Sequence, residues 1–359
     1  MPVYPESEDD QTVGPAALRS LVQSIFQYCG MSAGDALLLS DTLVTADLRG
    51  CHSHGVLRVP EYVKKLTVDG VDPKAAPAVV ADQGAALVID GRNSMGQIGC
   101  VYAMRQAIER AQQSGVAISS VRGSNHCGAM AYFAMMPLEH NMIGVATTNS
   151  LPTMAPWGGR EKIVGINPLA VAIPTGREHP VVLDTSFSGS SHGKIRVYHQ
   201  KGLPIPAGWA FDGSGRPTTN AAEAIDGLLQ PIGGYKGTGL AMIMGILASV
   251  LSGACYGTQL GNMVDGPQPG GDGHFLMAIN VSAFEDPERF KRRVDKIIRQ
   301  IHDSERAEGV DKIFAPGGLE AETEQRHKQT GIPLDAITHK GLVECAEAFG
   351  IDVSVLSHS

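Results

Sequence analysis

The chain has 359 residues, 43% of them hydrophobic and 18% charged, enough to bury one large core or two closely joined ones. Its formal charge of −8, with no basic stripe, excludes a nucleic-acid binder. Aromatic residues are only 5%, against 43 Gly and 21 Pro, a composition of tight turns and an Ala/Gly/Val-rich α/β interior. The six cysteines, Cys29, Cys51, Cys100, Cys127, Cys255 and Cys345, are scattered and form no CxxC pair. Free thiols in a reduced, cytoplasmic setting are expected.

Residues 1–10 are acidic and lack an apolar core, so they do not read as a signal peptide. The spacing of Leu18, Leu21, Val22, Ile25 and Phe26 predicts an amphipathic helix over 15–29. Ser32 is a candidate N-cap for a second helix, with Ala36, Leu39, Leu43 and Ala46 on one stripe. That helix delivers the chain to the most chemically loaded stretch, 46–63, which holds Arg49, His52, Ser53, His54, Gly55 and Arg58. The Ser53 hydroxyl and the His54 imidazole are adjacent, and an imidazole exchanges a proton near neutral pH. Arg58, four residues after His54, offers a two-pronged grip for a carboxylate if the chain turns helical after Gly55. The competing reading is a helix end whose His and Ser satisfy backbone groups.

Strands are expected at 78–81 and 86–90, a turn at 90–94, and a helix over 97–114 stopped by Gly115. A strand from Val116 runs into Ser124-Asn125-His126-Cys127-Gly128, followed by a helix to about His140 and a strand over 142–148. A histidine at such a strand tip is better placed for chemistry than one in mid-helix. Further strands are expected at 169–173 and 181–183, the latter ending at Asp184-Thr185-Ser186. Gly233-Gly234-Tyr235-Lys236-Gly237 enters a buried-looking helix over roughly 239–252, an anion-site pattern that also serves as a plain cap. The apolar run there is shorter than the roughly 18–20 residues of a membrane span. A strand at 274–281, an amphipathic helix over 286–304 with Phe290, Val294, Ile297, Ile298 and Ile301 inward, a loop at 314–318 and a helix over 339–349 complete the chain.

There is no G-x-G-x-x-G after a strand, no P-loop, no HExxH and no G-x-S-x-G, and no cluster with convincing metal spacing. Ser53 as a hydrolase nucleophile lacks the usual elbow and an evident acid partner.

Taken together, ADLRG–SHG–R (46–58), SNH-G (124–128), TNS–MAPWGG (148–159), NPLA (167–170), GKI (193–195), IP-GWA-D–G-PTT (205–219), GG-KG-GLA (233–241), LSGA (251–254) and PGG (316–318) resemble the second, non-Rossmann malate/L-lactate dehydrogenase family. It includes malate, sulfolactate and ureidoglycolate dehydrogenases and reductases of cyclic imino acids. The likeness spans residues 15–320. It implies an α/β fold: a non-Rossmann nicotinamide-binding domain with a mixed or largely antiparallel sheet flanked by helices (81–318). A helical, dimerising domain from both chain ends (1–80 with 319–359) and a homodimer follow from the same likeness. So do NAD, with NADP possible, and a small 2-hydroxy or 2-keto acid substrate, with no nucleic acid, membrane or metal. A cyclic imino acid is the alternative substrate.

Carried over by motif, His126 matches the family's acid/base histidine, and Ser53 with His54 match the relay pair of the imine reductases. Arg58 matches the substrate-carboxylate arginine. Ser150, Asp184, Thr185, Ser186, Lys236, Pro316, Gly317 and Gly318 match cofactor contacts. Lys194 departs from the pattern, standing where the imine reductases carry an aspartate of the relay. A cation there favours a hydroxy acid with a second anionic group, as in malate, over a cyclic imine. Ile166 replaces a threonine, His52 replaces a residue that is often aspartate, and Asp184-Thr185-Ser186-Phe187-Ser188 departs from the common wording.

Overall fold

A computed structural model describes residues 10–68, 70–200, 202–262 and 267–356. Residues 1–9 of the acidic N-terminal stretch lie outside them. The two ends of the chain build one core together. Gln11–Val13 pairs antiparallel with Ile332–Leu334, which clamps the ends to each other. The helices Pro15–Tyr28 and Ala33–Leu48 bury the stripes their spacing predicts. Ser32 caps the second helix as expected, its Oγ accepting from the Asp35 N–H at 3.1 Å. Val59–Thr67 and Ala336–Ala348 close this core, with Tyr62 and Leu342 fully buried.

The central sheet has seven strands in the order Ala78–Asp82, Ala86–Asp90, Val116–Ser124, Asp272–Asn280, Met142–Thr148, Leu169–Ile173, Val181–Thr185. Ala86–Asp90 and Val116–Ser124 run parallel, joined by the helix Gly96–Ser114, and every other pair is antiparallel. A doubly wound dinucleotide sheet is parallel, so the mixed, non-Rossmann sheet expected from the sequence is the one present. A separate core lies between the helices His192–Gln200 and Tyr235–Gly245 and a small sheet of Ala210–Phe211, Pro217–Thr218 and Leu228–Leu229.

Several elements differ from expectation. The strand at 116 runs to Ser124 as expected, whereas the one at 181 carries Asp184 and Thr185 within it, because it completes a ladder with Leu169–Ile173. The helix after Gly234 starts at Tyr235 and passes into a five-residue π segment, Ile246–Val250. The helices His192–Gln200 and Gly318–Thr330 have no counterpart in the sequence reading, since their apolar positions make no clear stripe. In Pro287–His302, Ile297 is 57% exposed. The patch this helix covers is narrow, and Asp295 takes an inward position, accepting from the Gly176 and Arg177 N–H groups at 2.9 Å.

Candidate active site

Asp47 organises the stretch that follows it. Its carboxylate is buried, bonded through Oδ1 to His52 Nδ1 at 2.8 Å, and accepts the Val56 N–H at Oδ2, 2.7 Å away. Those bonds wrap two short 3-10 turns, His52–His54 and Val56–Arg58, around one side chain. Gly55 is required where they meet, because a Cβ there would lie 2.0 Å from Asp47 Oδ1. The turns point His52 back at Asp47 and turn the His54 ring toward His126. Ser53 Oγ and His54 Nδ1 share a hydrogen bond of 2.9 Å, as the adjacent pair suggests. Arg58 donates through Nε to the Ser53 carbonyl at 2.8 Å and through Nη1 to Glu61 at 2.8 Å.

The loop after the strand Val116–Ser124 brings His126 onto this stretch. The His54 and His126 rings stack, centroids 5.7 Å apart and planes 8° apart. His126 Nδ1 and Tyr62 Oη share a 2.7 Å hydrogen bond, and Gln97 Nε2 donates to the same hydroxyl at 3.0 Å. Gly96 makes this approach possible: a Cβ there would fall 2.1 Å from the Asn125 carbonyl oxygen. Burial, and then the Arg58 guanidinium, push His54 down to about 4. Burial, Arg58, His54 and His274 hold His126 well below the usual imidazole range. At neutral pH the site is therefore two uncharged imidazoles beside one arginine: a proton acceptor next to an anion grip.

A second group of residues runs along the edge of the sheet from this pair. Asp184 Oδ2 accepts the Ala131 N–H at 2.7 Å, which ties the strand Val181–Thr185 to the loop that carries His126. Burial pushes the Asp184 carboxyl up to about 6, yet the residue keeps open surface. The Pro316 carbonyl accepts the Val182 N–H at 2.9 Å, which lays the Pro316–Gly318 loop beside Asp184. Ser186 Oγ bonds Ser188 Oγ at 3.2 Å, and Thr185 Oγ1 donates to the Ser186 carbonyl at 3.0 Å. The Phe187 carbonyl accepts the Ile232 N–H at 3.0 Å, just before the helix that begins Tyr235-Lys236. Lys236 is exposed there. Ser150 reaches the same helix through Asn167, whose Oδ1 accepts the Ser150 N–H at 2.9 Å while its Nδ2 donates to the Ala241 carbonyl at 2.7 Å. These bonds link the segments that carry Ser150, Asp184, Thr185, Ser186, Lys236, Pro316, Gly317 and Gly318 to one another in an arc.

Lys194 lies near the start of the helix His192–Gln200. Its ammonium lies 5.0 Å from the centre of the Trp209 ring, and Gly189 packs against the Gly208–Trp209 backbone. The fold also collects Cys100, Cys127 and His274 with their potential ligand atoms within 4.8 Å, a cluster the scattered positions gave no sign of. His274 is already engaged at both ring nitrogens, Nδ1 with Thr148 Oγ1 and Nε2 with Ser124 Oγ, each at 2.8 Å, which ties it to Ser124, two residues before His126. All six cysteines are free thiols, and among the described residues no helix is long and apolar enough to cross a membrane. Sequence reasoning missed Asp47, Tyr62 and Gln97. An unusual density of polar groups around 46–63 was the signal available for the first two.

The family model for malate/L-lactate dehydrogenase matches residues 13–343, and the chain belongs to that family. The L-sulfolactate dehydrogenase of Methanocaldococcus jannaschii is 35% identical over 339 residues, covering 94% of this chain and 97% of the relative. The solved malate dehydrogenase of Pyrococcus horikoshii OT3 superposes with a TM-score of 0.90 at 32% identity, over 97% of this chain and 98% of that one. A Delta(1)-pyrroline-2-carboxylate/Delta(1)-piperideine-2-carboxylate reductase of Pseudomonas syringae pv. tomato is 33% identical over 315 residues, covering 86% and 88%. The family thus joins dehydrogenases acting on CH–OH groups of 2-hydroxy acids with reductases of cyclic imino acids.

Proposed function

We propose that the protein is an NAD(P)-dependent oxidoreductase interconverting a small, malate- or lactate-like 2-hydroxy acid and its 2-keto acid. One observation carries the reading: neutral His126, stacked on His54 and tied to Tyr62, shares its surroundings with Arg58. Oxidation needs a base for the hydroxyl proton and a clamp for the carboxylate. His126 is the base, taking the proton at Nε2, since Nδ1 is bonded to Tyr62. Arg58 is the clamp. Its Nε and Nη1 are held by Ser53 and Glu61, which fixes the guanidinium plane and aims its remaining donors at the substrate. Ser53 and His54 orient the substrate or relay the proton. Lys194 takes the second anionic group of a dicarboxylic substrate.

A nicotinamide dinucleotide fits the arc chemically. The exposed Lys236 at a helix start and the hydroxyls of Ser150, Thr185 and Ser186 suit phosphate and ribose groups. The residues that would hold it are these with Asp184 and Pro316–Gly318. When bound, it takes or gives the hydride at the substrate carbon. NAD is the preferred form. We assign residues 1–80 with 319–359 to a helical, dimerising unit and 81–318 to the cofactor-binding unit, in a cytoplasmic homodimer. The exposed apolar residues Leu240, Ile243, Val250 and Leu251 lie in the cofactor-binding unit and support a contact between copies there in addition to the chain-end unit.

The Ser53–His54 hydrogen bond supports reduction of a cyclic imino acid as the second reading. The deciding experiment is NADH and NADPH binding by fluorescence, followed by nicotinamide oxidation with oxaloacetate, pyruvate, sulfopyruvate and piperideine-2-carboxylate. Turnover of a dicarboxylic keto acid supports the main reading. Turnover of the imine alone replaces it, and failure to bind either cofactor overturns both.

A further inference from the structure

Gln97 lies two side chains away from the reacting position, yet its hydrogen bonds fix what His126 can do. Both Gln97 and Tyr62 are fully buried. Gln97 Nε2 donates to Tyr62 Oη at 3.0 Å, and Gln97 Oε1 has no hydrogen-bond partner among the described residues. Tyr62 has one hydroxyl proton. With Gln97 donating to its oxygen, the acceptor within reach is His126 Nδ1, 2.7 Å away. The neutral imidazole then carries its own proton on Nε2. That tautomer has no lone pair at the nitrogen facing the substrate.

Both working states of His126 need the reverse order. As a base it must keep Nε2 bare and hold its proton on Nδ1. As an acid it is protonated on both nitrogens. In each, Nδ1–H donates to Tyr62 Oη, and the tyrosine proton has to find another acceptor. A half-turn of the Gln97 amide supplies one, placing Oε1 where Nε2 stands. Gln97 bonds Tyr62 in either orientation, as donor or as acceptor, and turning breaks no bond at Oε1, which has none among the described residues. An amide held by a single bond follows a proton at smaller cost than a fully bonded one.

We propose that Gln97 is a positioning residue whose amide inverts, through Tyr62, to switch His126 between a resting tautomer and the tautomer that exchanges a proton with substrate. In the switch the His126 Nε2–H bond breaks and an Nδ1–H bond forms, with no other covalent change: solvent or substrate takes the proton from Nε2 and solvent returns one to Nδ1, while the Tyr62 O–H turns from His126 to Gln97. The inference rests on the reading of His126 as the acid/base.

The test uses the full-length enzyme with whichever acid of the panel it turns over. The groups facing His126 are Arg58 and His54 from the 3-10 turns, Tyr62 from its helix and His274 from the central strand, and the Gln97 variants leave all four in place. Gln97→Met keeps the shape and removes both polar atoms. It is expected to lower kcat about tenfold with KM within about twofold, and to cost nothing further in a Tyr62→Phe background. Gln97→Glu gives the tyrosine proton a permanent acceptor and is expected to move the acid limb of kcat/KM upward by roughly one pH unit. Nitrogen-15 spectra of histidine-labelled wild type are expected to show His126 protonated on Nε2 in the free enzyme, a readout that survives if a variant fails to fold. Unchanged kcat in folded Gln97→Met, additive losses with Tyr62→Phe, an unmoved pH limb in Gln97→Glu, or an Nδ1–H tautomer in the free enzyme each overturn the switch. His126→Asn separates the two ideas. If it is inactive while the Gln97 variants behave as wild type, the switch alone fails. If it retains full turnover, the assignment of His126 fails and the switch with it.

Discussion

His54 and His126 come from segments 72 positions apart and stack face to face, ring centres 5.7 Å apart and planes 8° apart. The pair divides naturally: His126 bonds the tyrosine and His54 bonds the serine. Replacing each in turn therefore assigns the proton. His126→Asn is expected to lower kcat by roughly 10²–10⁴-fold with the fold intact by circular dichroism, and His54→Asn by less. Steady-state turnover in both directions checks it, and a larger loss in His54→Asn would move the proton to that ring.

Arg58→Lys tests the clamp. Lysine keeps the charge and loses both the Nε bond to the Ser53 carbonyl and the planar two-pronged donor set. KM for the acid substrate is expected to rise by about 10–100-fold, with a smaller change in kcat. An unchanged KM would remove Arg58 from the substrate.

Gly55→Ala puts a methyl group 2.0 Å from Asp47 Oδ1, inside the wrapped turns. Destabilisation of roughly 1–3 kcal/mol is expected, together with loss of turnover, because the same turns carry Ser53, His54 and Arg58. Urea melts measure the first and initial rates the second. A variant as stable and active as wild type would mean the turns relax freely.

The pH dependence of stability has a definite sign. An unfolded histidine takes its proton near 6.5, whereas folded His54 is held down to about 4. Between those values the unfolded chain binds more protons, so stability is full above 6.5 and falls as pH drops toward 4. The slope from one such group is at most about 1.4 kcal/mol per pH unit. Asp184, raised to about 6, acts in the opposite sense over the range below 6, but wild type and His54→Asn share it. The difference between their urea melts isolates His54: the variant is expected to lose less stability than wild type between pH 7 and pH 5. Parallel losses would contradict the burial of that ring.

The ridge of Leu240, Ile243, Val250 and Leu251 gives the oligomer a direct test. Sedimentation velocity is expected to show a dimer for the wild type and monomer for Ile243→Asp combined with Val250→Asp, because an aspartate carboxylate does not survive in a dry apolar contact. A wild-type monomer would leave the ridge without this role.

What the sequence determined by itself was local. The Ser32 cap, the stripes of the first two helices and the Ser53–His54 pair were legible because each depends on neighbours within a few positions. The mixed sheet was legible through the order of many short motifs, which stand in for a fold that periodicity does not encode. Tertiary structure alone decided the partners. Tyr62 meets His126 across 64 positions, and Gln97 meets Tyr62 across 35, because the Gly96 backbone seats against Asn125 and His126. Cys100 and His274 join Cys127 for the same kind of reason: the strand Asp272–Asn280 threads between Val116–Ser124 and Met142–Thr148, and strand register is set by whole-sheet packing. A residue's identity fixes the chemistry it is capable of. Its pKa, tautomer and partner are fixed by what the fold places within about 3 Å, and that is a property of segments the local sequence does not contain.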